Sequence, residues 1–203
     1  MNHAGNPDTL FLDNFITYRL RVHTIPPVEK DDITITSGIH NVIAVDAPQG
    51  SLYVKINGRN QYGTVKCIVR KAGNTATLHV QDIGSSVKYL TGQYDLEILT
   101  LPRIHQKNIK ISQSTTTGIE IEEAGIVNFQ YGNVGYGSVF QIQKNDIEFV
   151  TDLNENTYNQ SLVLQPGQYK VIFRYRLAKE TILTKDRNFT VRPGESTIVN
   201  LMQ

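Results

Sequence analysis

The run Tyr18-Arg-Leu-Arg-Val-His-Thr-Ile25 returns as Tyr94-Asp-Leu-Glu-Ile-Leu-Thr-Leu101 and again as Tyr169-Lys-Val-Ile-Phe-Arg-Tyr-Arg176, at spacings of 76 and then 75 residues. A fixed period of that size marks one small domain copied in tandem. Two full copies fit in the 203 residues, and the leading part of the chain has the pattern of a repeat's tail. The register extends past one strand. Ile33-Thr-Ile35 and Ile43-Ala-Val45 match Ile109-Lys-Ile111 and Ile119-Glu-Ile121 at the same offsets. The third copy has Phe189-Thr-Val191 and Val199-Asn-Leu201, delayed by a five-residue insertion. Upstream, Gly50 aligns with Gly125, and Tyr62-Gly-Thr-Val65 with Tyr136-Gly-Ser-Val139.

Between these landmarks the pattern is that of strands. Period-two alternation recurs in Leu52–Ile56, Val65–Val69, Leu78–Val80, Tyr94–Ile98, Ile109–Ile111, Ile119–Ile121, Val139–Ile142, Tyr169–Phe173 and Phe189–Val191. Such alternation, rich in β-branched and aromatic residues and broken by turns, is the signature of a sandwich or barrel. Asn57-Gly58, Ala72-Gly73-Asn74, Pro166-Gly167 and Pro193-Gly194 supply turn chemistry. The two best helix candidates, Val28–Asp32 and Arg176–Thr181, are too short or lack an apolar stripe. A unit of this size buries only about 60–65 % of its unfolded surface, so the copies are expected to pack on each other.

Composition excludes little but usefully. With 39 % hydrophobic and 19 % charged residues the chain is globular. A net charge of +1 gives no electrostatic reason to bind nucleic acid or an anionic membrane. No apolar run approaches the roughly 20 residues of a membrane-spanning helix. Cys67 is the one cysteine, so no intrachain disulfide can form, and its alternating context predicts a small buried hydrophobe. Met1–Pro7 has neither a basic nor an apolar signal region, so an export signal is expected outside this chain.

Leu90-Thr-Gly-Gln-Tyr94 and Leu164-Gln-Pro-Gly-Gln-Tyr169 are one device: an apolar strand end, a glycine turn, then a tyrosine opening the next strand. It resembles the tyrosine corner of immunoglobulin-like sandwiches, where the ring is buried and the hydroxyl bonds back to the backbone. The wider pattern, from Gly-x-Leu-x-Val to the paired Ile-x-Ile ending, resembles small prealbumin-like domains and their carboxypeptidase regulatory-like and PEGA-type relatives. Leu12–Tyr18, His23–Val28, Asp46–Gly50 and Tyr94–Arg103 resemble the region that follows the von Willebrand factor A domain in a group of bacterial proteins. That likeness implies an all-β protein of tandem immunoglobulin-like or prealbumin-like antiparallel sandwiches. Its edges fall near Ala47 and Glu123: residues 1–46 as linker plus the C-terminal part of a preceding unit, then 47–122 and 123–203. It also implies an extracytoplasmic setting, in the periplasm or on the cell surface. The family's metal-dependent adhesion pattern, Asp-x-Ser-x-Ser, is absent, so that activity does not carry over.

Chemistry has few footholds. The histidines (His3, His23, His40, His79 and His105) show no zinc spacing. Asp152-Leu-Asn154-Glu-Asn156 opens like a calcium loop but has Thr157 and Val163 where an EF-hand needs glycine and glutamate, so a polar turn is expected. Ser85-Ser-Val-Lys88 contains Ser-x-x-Lys without its partner motifs and reads as a polar loop. The expectation is therefore no catalytic residues, no cofactor and no metal.

One segment, Phe129–Ser138, suggests binding: Tyr131 and Tyr136, exposed between glycines, would stack on sugar rings. The counterpart of Tyr136-Gly137 in Tyr62-Gly63, and ten tyrosines with no tryptophan, favour a scaffold role. In the leading fragment, Phe15–Thr24, Ile33–Thr36 and Asn41–Val45 read as strands whose own first half is missing. Their unpaired edges call for the upstream domain, the first repeat or another molecule. The expected function is a non-enzymatic module that spaces or presents an adjacent von Willebrand A-type domain and contacts protein partners. A carbohydrate-binding sandwich is the alternative.

Overall fold

Alternation becomes ladder along most of the chain. The computed structural model describes residues 12–144, 146–177 and 184–202; among them there are sixteen strands and no helix. β1 (Tyr18–Val22) and β2 (Val28–Ile33) pair only with each other. Seven strands follow: β3 (Gln49–Asn57), β4 (Lys66–Lys71), β5 (His79–Asp82), β6 (Ser86–Leu90), β7 (Gly92–Ile98), β8 (Ile104–Ile111) and β9 (Thr116–Glu122). Seven more are β10 (Gly125–Gln130), β11 (Gly135–Gln143), β12 (Asp146–Asp152), β13 (Asn159–Leu164), β14 (Gly167–Tyr175), β15 (Thr184–Val191) and β16 (Ser196–Asn200).

The first set forms sheets ordered β6-β3-β9 and β5-β4-β7-β8, and the second repeats this as β13-β10-β16 and β12-β11-β14-β15. In both, the opening strand runs parallel to the closing one: Val54 lies opposite Ile119, and Phe129 opposite Val199. Alternation then places one face of every strand inside. Leu52 and Val54 meet Cys67, Val69, Leu96 and Ile98 in one core. Val127, Phe129 and Tyr131 meet Val139, Val171 and Phe173 in the other. The fold is all-β: tandem immunoglobulin-like or prealbumin-like sandwiches.

β1 and β2 copy β7 and β8 down to an irregularity. Both pairs carry a bulge between equivalent residues, Tyr18/Leu20 and Tyr94/Leu96. In each, one residue of the second strand takes a left-handed conformation, Asp32 at φ 56° and Asn108 at φ 58°. Asp and Asn tolerate that region better than other side-chain-bearing residues.

Several expectations are corrected. Ser85–Lys88 is not a loop: Ser86–Leu90 is β6, because Tyr89 alternates inward and its hydroxyl donates to the Gln81 Oε1 at 2.7 Å. Val28–Asp32, too short for a helix, forms part of β2. Arg176 and Leu177 form a turn, and residues 178–181 of that helix candidate lie outside the described residues, as do Met1–Pro7 and His3. Asn41–Val45 forms no strand, since the opening strand it would run beside has no counterpart among the described residues. The alignment of Tyr62 with Tyr136 fails too. Val69 faces Leu96 as Val139 faces Val171, so Tyr136 is the counterpart of Lys66, and Tyr62 sits in a β3–β4 connection longer than the β10–β11 one.

Gly50 and Gly125 open their sandwiches where two chain segments nearly touch. A Cβ on Gly50 would stand 2.1 Å from the Ser112 carbonyl oxygen, and one on Gly125 2.6 Å from Val191 Cγ1 and 2.7 Å from the Arg192 carbonyl oxygen. Gly50→Ala and Gly125→Ala are each expected to lower unfolding free energy by about 1–3 kcal/mol. Urea titration followed by tyrosine fluorescence measures this; a midpoint unchanged in either variant contradicts the close approach.

Candidate functional site

The two tyrosines singled out in the sequence are not a pair. Tyr131 is fully buried, stacked on Phe173 at 4.9 Å between ring centroids, with its hydroxyl 3.3 Å from Thr157 Oγ1 and Gln160 Oε1. The expected exposed ring is therefore corrected at this position. Its signal was in the sequence: Val127, Phe129 and Tyr131 alternate as Leu52, Val54 and Ile56 do. Tyr136 is 56 % exposed. The Arg176 guanidinium lies over its ring at 5.8 Å and donates to Asn156 Oδ1 at 2.9 Å and the Glu155 carbonyl at 3.1 Å. Beside the ring is an open cleft of about 450 Å³ lined by Ser138, Asp152, Asn154 and Glu155. Ser138 donates to Asp152 Oδ1 at 2.6 Å.

Tyrosine corners stand where the resemblance placed them. Tyr94 donates to the Leu90 carbonyl at 2.7 Å and Tyr169 to the Gln165 carbonyl at 2.6 Å, both rings buried. Burial pushes both phenols above their ordinary pKa. Tyr18 makes the shifted version, donating to the Asp13 carbonyl at 3.0 Å from a half-buried ring.

The corners at Tyr18 and Tyr94 lead into a repeated polar turn. Six residues past Tyr18 and Tyr94 come Thr24-Ile25-Pro26 and Thr100-Leu101-Pro102, with cis bonds at Ile25–Pro26 and Leu101–Pro102. Thr24 donates to the Pro26 carbonyl at 2.6 Å, Thr100 to the Pro102 carbonyl at 2.7 Å, and both threonines are buried. Each turn then engages the next unit. The Ile25 carbonyl accepts the Leu90 amide at 2.8 Å, and the Leu101 carbonyl accepts the Gln165 amide at 2.8 Å. Ile25 packs against the core of the first sandwich and Leu101 against that of the second.

The second junction is reinforced. Tyr62 donates to the Leu101 carbonyl at 3.2 Å and accepts from Gln165 Nε2 at 3.0 Å. Its burial raises the phenol pKa. Gln165 is itself buried, so this bond satisfies a group that would otherwise cost free energy. The repeated Thr-[Ile/Leu]-Pro was readable in the sequence, but its role required seeing which unit receives it.

A buried carboxylate anchors the same turn. Glu97 on β7 bonds Arg70 at 2.7 Å and Arg103, just past Pro102, at 2.5 Å. The Arg70 hydrogen bond, then Arg103, holds the Glu97 carboxyl below its ordinary pKa against the opposing effect of burial. Neighbouring Asp95 is also lowered, by amide bonds from Asn108 and Gly73. Cys67 is buried and its thiol is pushed up to about 12 by desolvation, so it is a neutral thiol at physiological pH. Among the described residues no group of three His, Cys, Asp or Glu is placed to hold a metal ion, and no helix is long and apolar enough to cross a membrane.

No protein-family model and no curated protein matches the chain. Among solved structures it overlaps the Bacillus anthracis TIE protein with a TM-score of 0.33 and 10 % identity, over 77 % of this chain and 33 % of that one. The chain thus spans about a third of that protein's length. It overlaps GBS52, the minor pilin of the Gram-positive pathogen Streptococcus agalactiae, with a TM-score of 0.37 and 9 % identity, over 77 % of this chain and 95 % of that one. Both are loose overlaps of β layers and assign neither a family nor an activity.

Because Glu97 and Asp95 have folded-state pKa values below their unfolded ones, their stabilisation is complete at neutral pH and is lost as pH falls through the carboxylate range. Glu97→Gln is expected to cost about 2 kcal/mol at pH 7. Its stability should then fall less steeply than the parent's below about pH 4. Chemical denaturation at a series of pH values tests both, and parallel pH profiles would contradict the role of Glu97.

Proposed function

We propose that the chain is a non-catalytic structural and interaction module of a bacterial envelope or surface protein. It spaces or presents a neighbouring domain and contacts protein partners through strand edges and end loops. The carrying observation is the junction built twice from the same parts, a Thr-[Ile/Leu]-Pro turn whose carbonyl receives the next unit's amide. A molecule that only needed two independent sandwiches could join them by a flexible linker. Here β9 ends at Glu122 and β10 begins at Gly125, so only two residues intervene, and Leu101 is inserted against the neighbouring core. That arrangement transmits orientation along the string.

The division into residues 1–46, 47–122 and 123–203 belongs to this proposal. So does the identity of the neighbour: the likeness at Leu12–Tyr18, His23–Val28, Asp46–Gly50 and Tyr94–Arg103 supports a von Willebrand A-type domain. The same likeness supports a periplasmic or cell-surface location.

A carbohydrate-binding module is the second reading, favoured by the exposed Tyr136 ring beside a cleft with Asp152, Asn154 and Glu155 as acceptors. It engages the ring face not covered by Arg176. Titration with an oligosaccharide panel should then shift the Tyr136 ring resonances, and Tyr136→Ala should abolish the heat of binding in calorimetry.

For the spacer reading, Tyr62→Phe combined with Leu101→Ser removes a bridging hydroxyl and the apolar insertion while leaving both tyrosine corners in place. The Tyr62→Phe change alone is expected to cost about 1 kcal/mol. In small-angle X-ray scattering the double variant should show a broader distribution of interdomain distances, with β content by circular dichroism unchanged. Identical scattering from variant and parent would remove the basis for a rigid spacer.

A further inference from the structure

β1 and β2 form a sheet whose two faces are built for different surroundings. On one face Arg19 pairs with Asp31, and Arg21 pairs with Glu29 at 3.5 Å, all well exposed. The opposite face carries Tyr18, Leu20 and Val22. The full repeats show what those positions become when a unit is complete: Leu20 is 37 % exposed, whereas its counterparts Leu96 and Val171 are 2 % and 0 % exposed. Ile35 and Val45 are half-buried, while their counterparts Ile111 and Ile121 are buried. Phe15, Ile16 and Val42 also stand in solvent.

The repeats also show what supplies the cover. In the first sandwich β4 occupies the edge of β7 away from β8, with Val69 opposite Leu96 and Cys67 opposite Ile98. β3 lies parallel to β9, with Val54 opposite Ile119 and Ile56 opposite Ile121. Among the described residues, β1 has no strand on the corresponding edge, and Asn41–Val45 has no ladder at all. Bare strand edges next to a partly covered apolar face are a template for added strands.

We propose that residues 12–46 are an acceptor half-sandwich that binds a β segment carrying the first-half pattern of this chain's own repeats. One strand of that segment, of the type Leu52-Tyr-Val-Lys-Ile56, runs parallel to Asn41–Val45, as Leu52–Ile56 runs beside Thr117–Ile121 in the complete unit. A second, of the type Val65-Lys-Cys-Ile-Val69, lies antiparallel on the free edge of β1. The occupant's charge is specified as well. Arg70 faces Asp95 in the complete unit, and the counterpart of Asp95 is Arg19, so the bound strand carries an acidic or neutral residue there. This rests on the reading of the chain as a tandem string.

Two forms of the occupant test it by hydrogen–deuterium exchange. The first adds a synthetic peptide of residues 47–72 with Arg70→Glu to the full chain. The second places a copy of residues 47–87, with the same substitution, ahead of Leu12, in the register set by the 76-residue spacing. In the parent chain Tyr18–Val22 and Asn41–Val45 should exchange fast, and in the grafted chain they should slow to the level of Tyr94–Ile98. Leu20→Asp in the graft should restore fast exchange at Tyr18–Val22 only.

Fast exchange at Tyr18–Val22 in both peptide-bound and grafted samples, with Tyr94–Ile98 still protected, overturns the proposal. Full protection of Tyr18–Val22 in the unmodified monomer overturns it as well. Protection that grows with concentration alongside a dimer in sedimentation makes the occupant a second copy and likewise overturns it. Each of these outcomes leaves the junction scattering test standing, so the two readings fail separately.

Discussion

The pairing of first strand with last decides the shape of each unit. β3 against β9, and β10 against β16, join segments 65 and 70 residues apart in the sequence. Such a contact is costly to make, because closing a long loop costs entropy before the ladder can compensate. Once made, it locks the three-stranded sheet and so fixes the floor against which the four-stranded sheet packs. Asn41–Val45 shows the converse. It has the residues of a closing strand and remains irregular beside no opening strand.

A second constraint is laid over the first. The Tyr94 corner ties the start of its strand to the turn before it, and the same strand runs on into the Thr-Leu-Pro turn that reaches the next unit. The strand that organises a core is thereby also the one that delivers the link. Glu97 adds tension on the same path by holding Arg103 beyond the turn and Arg70 across the sheet. A buried carboxylate is tolerated only because two guanidiniums meet it. Internal order and external alignment are therefore coupled through single strands.

The two repeats diverge on the faces turned away from the partner sheet. Position for position, Arg70 and Glu97 on the outer face of the first sandwich correspond to Phe140 and Ile172 on the second. Outer faces are free to change because no core volume depends on them, and this freedom weakens alignment of the repeats by sequence. The Tyr62–Tyr136 match failed for the same reason: both sit outside the alternating core, in or beside connections whose lengths differ. Tyr131 differs in the opposite sense: it stands next to a glycine-rich turn, yet it closes an apolar alternation that faces the core.

What the amino-acid order determined by itself was local and periodic. The repeat, the all-β class, the tyrosine corners and the buried position of Cys67 follow from spacing and alternation, since side chains two apart share a face whatever lies beyond it. The ladder partners were decided elsewhere. That β6 is a strand, that Asn41–Val45 is not, that Tyr131 lies inside and that Leu101 enters the neighbouring core all depend on which segment arrives alongside. A strand has no free energy minimum of its own without a neighbour to bond, so only the assembled structure could settle them.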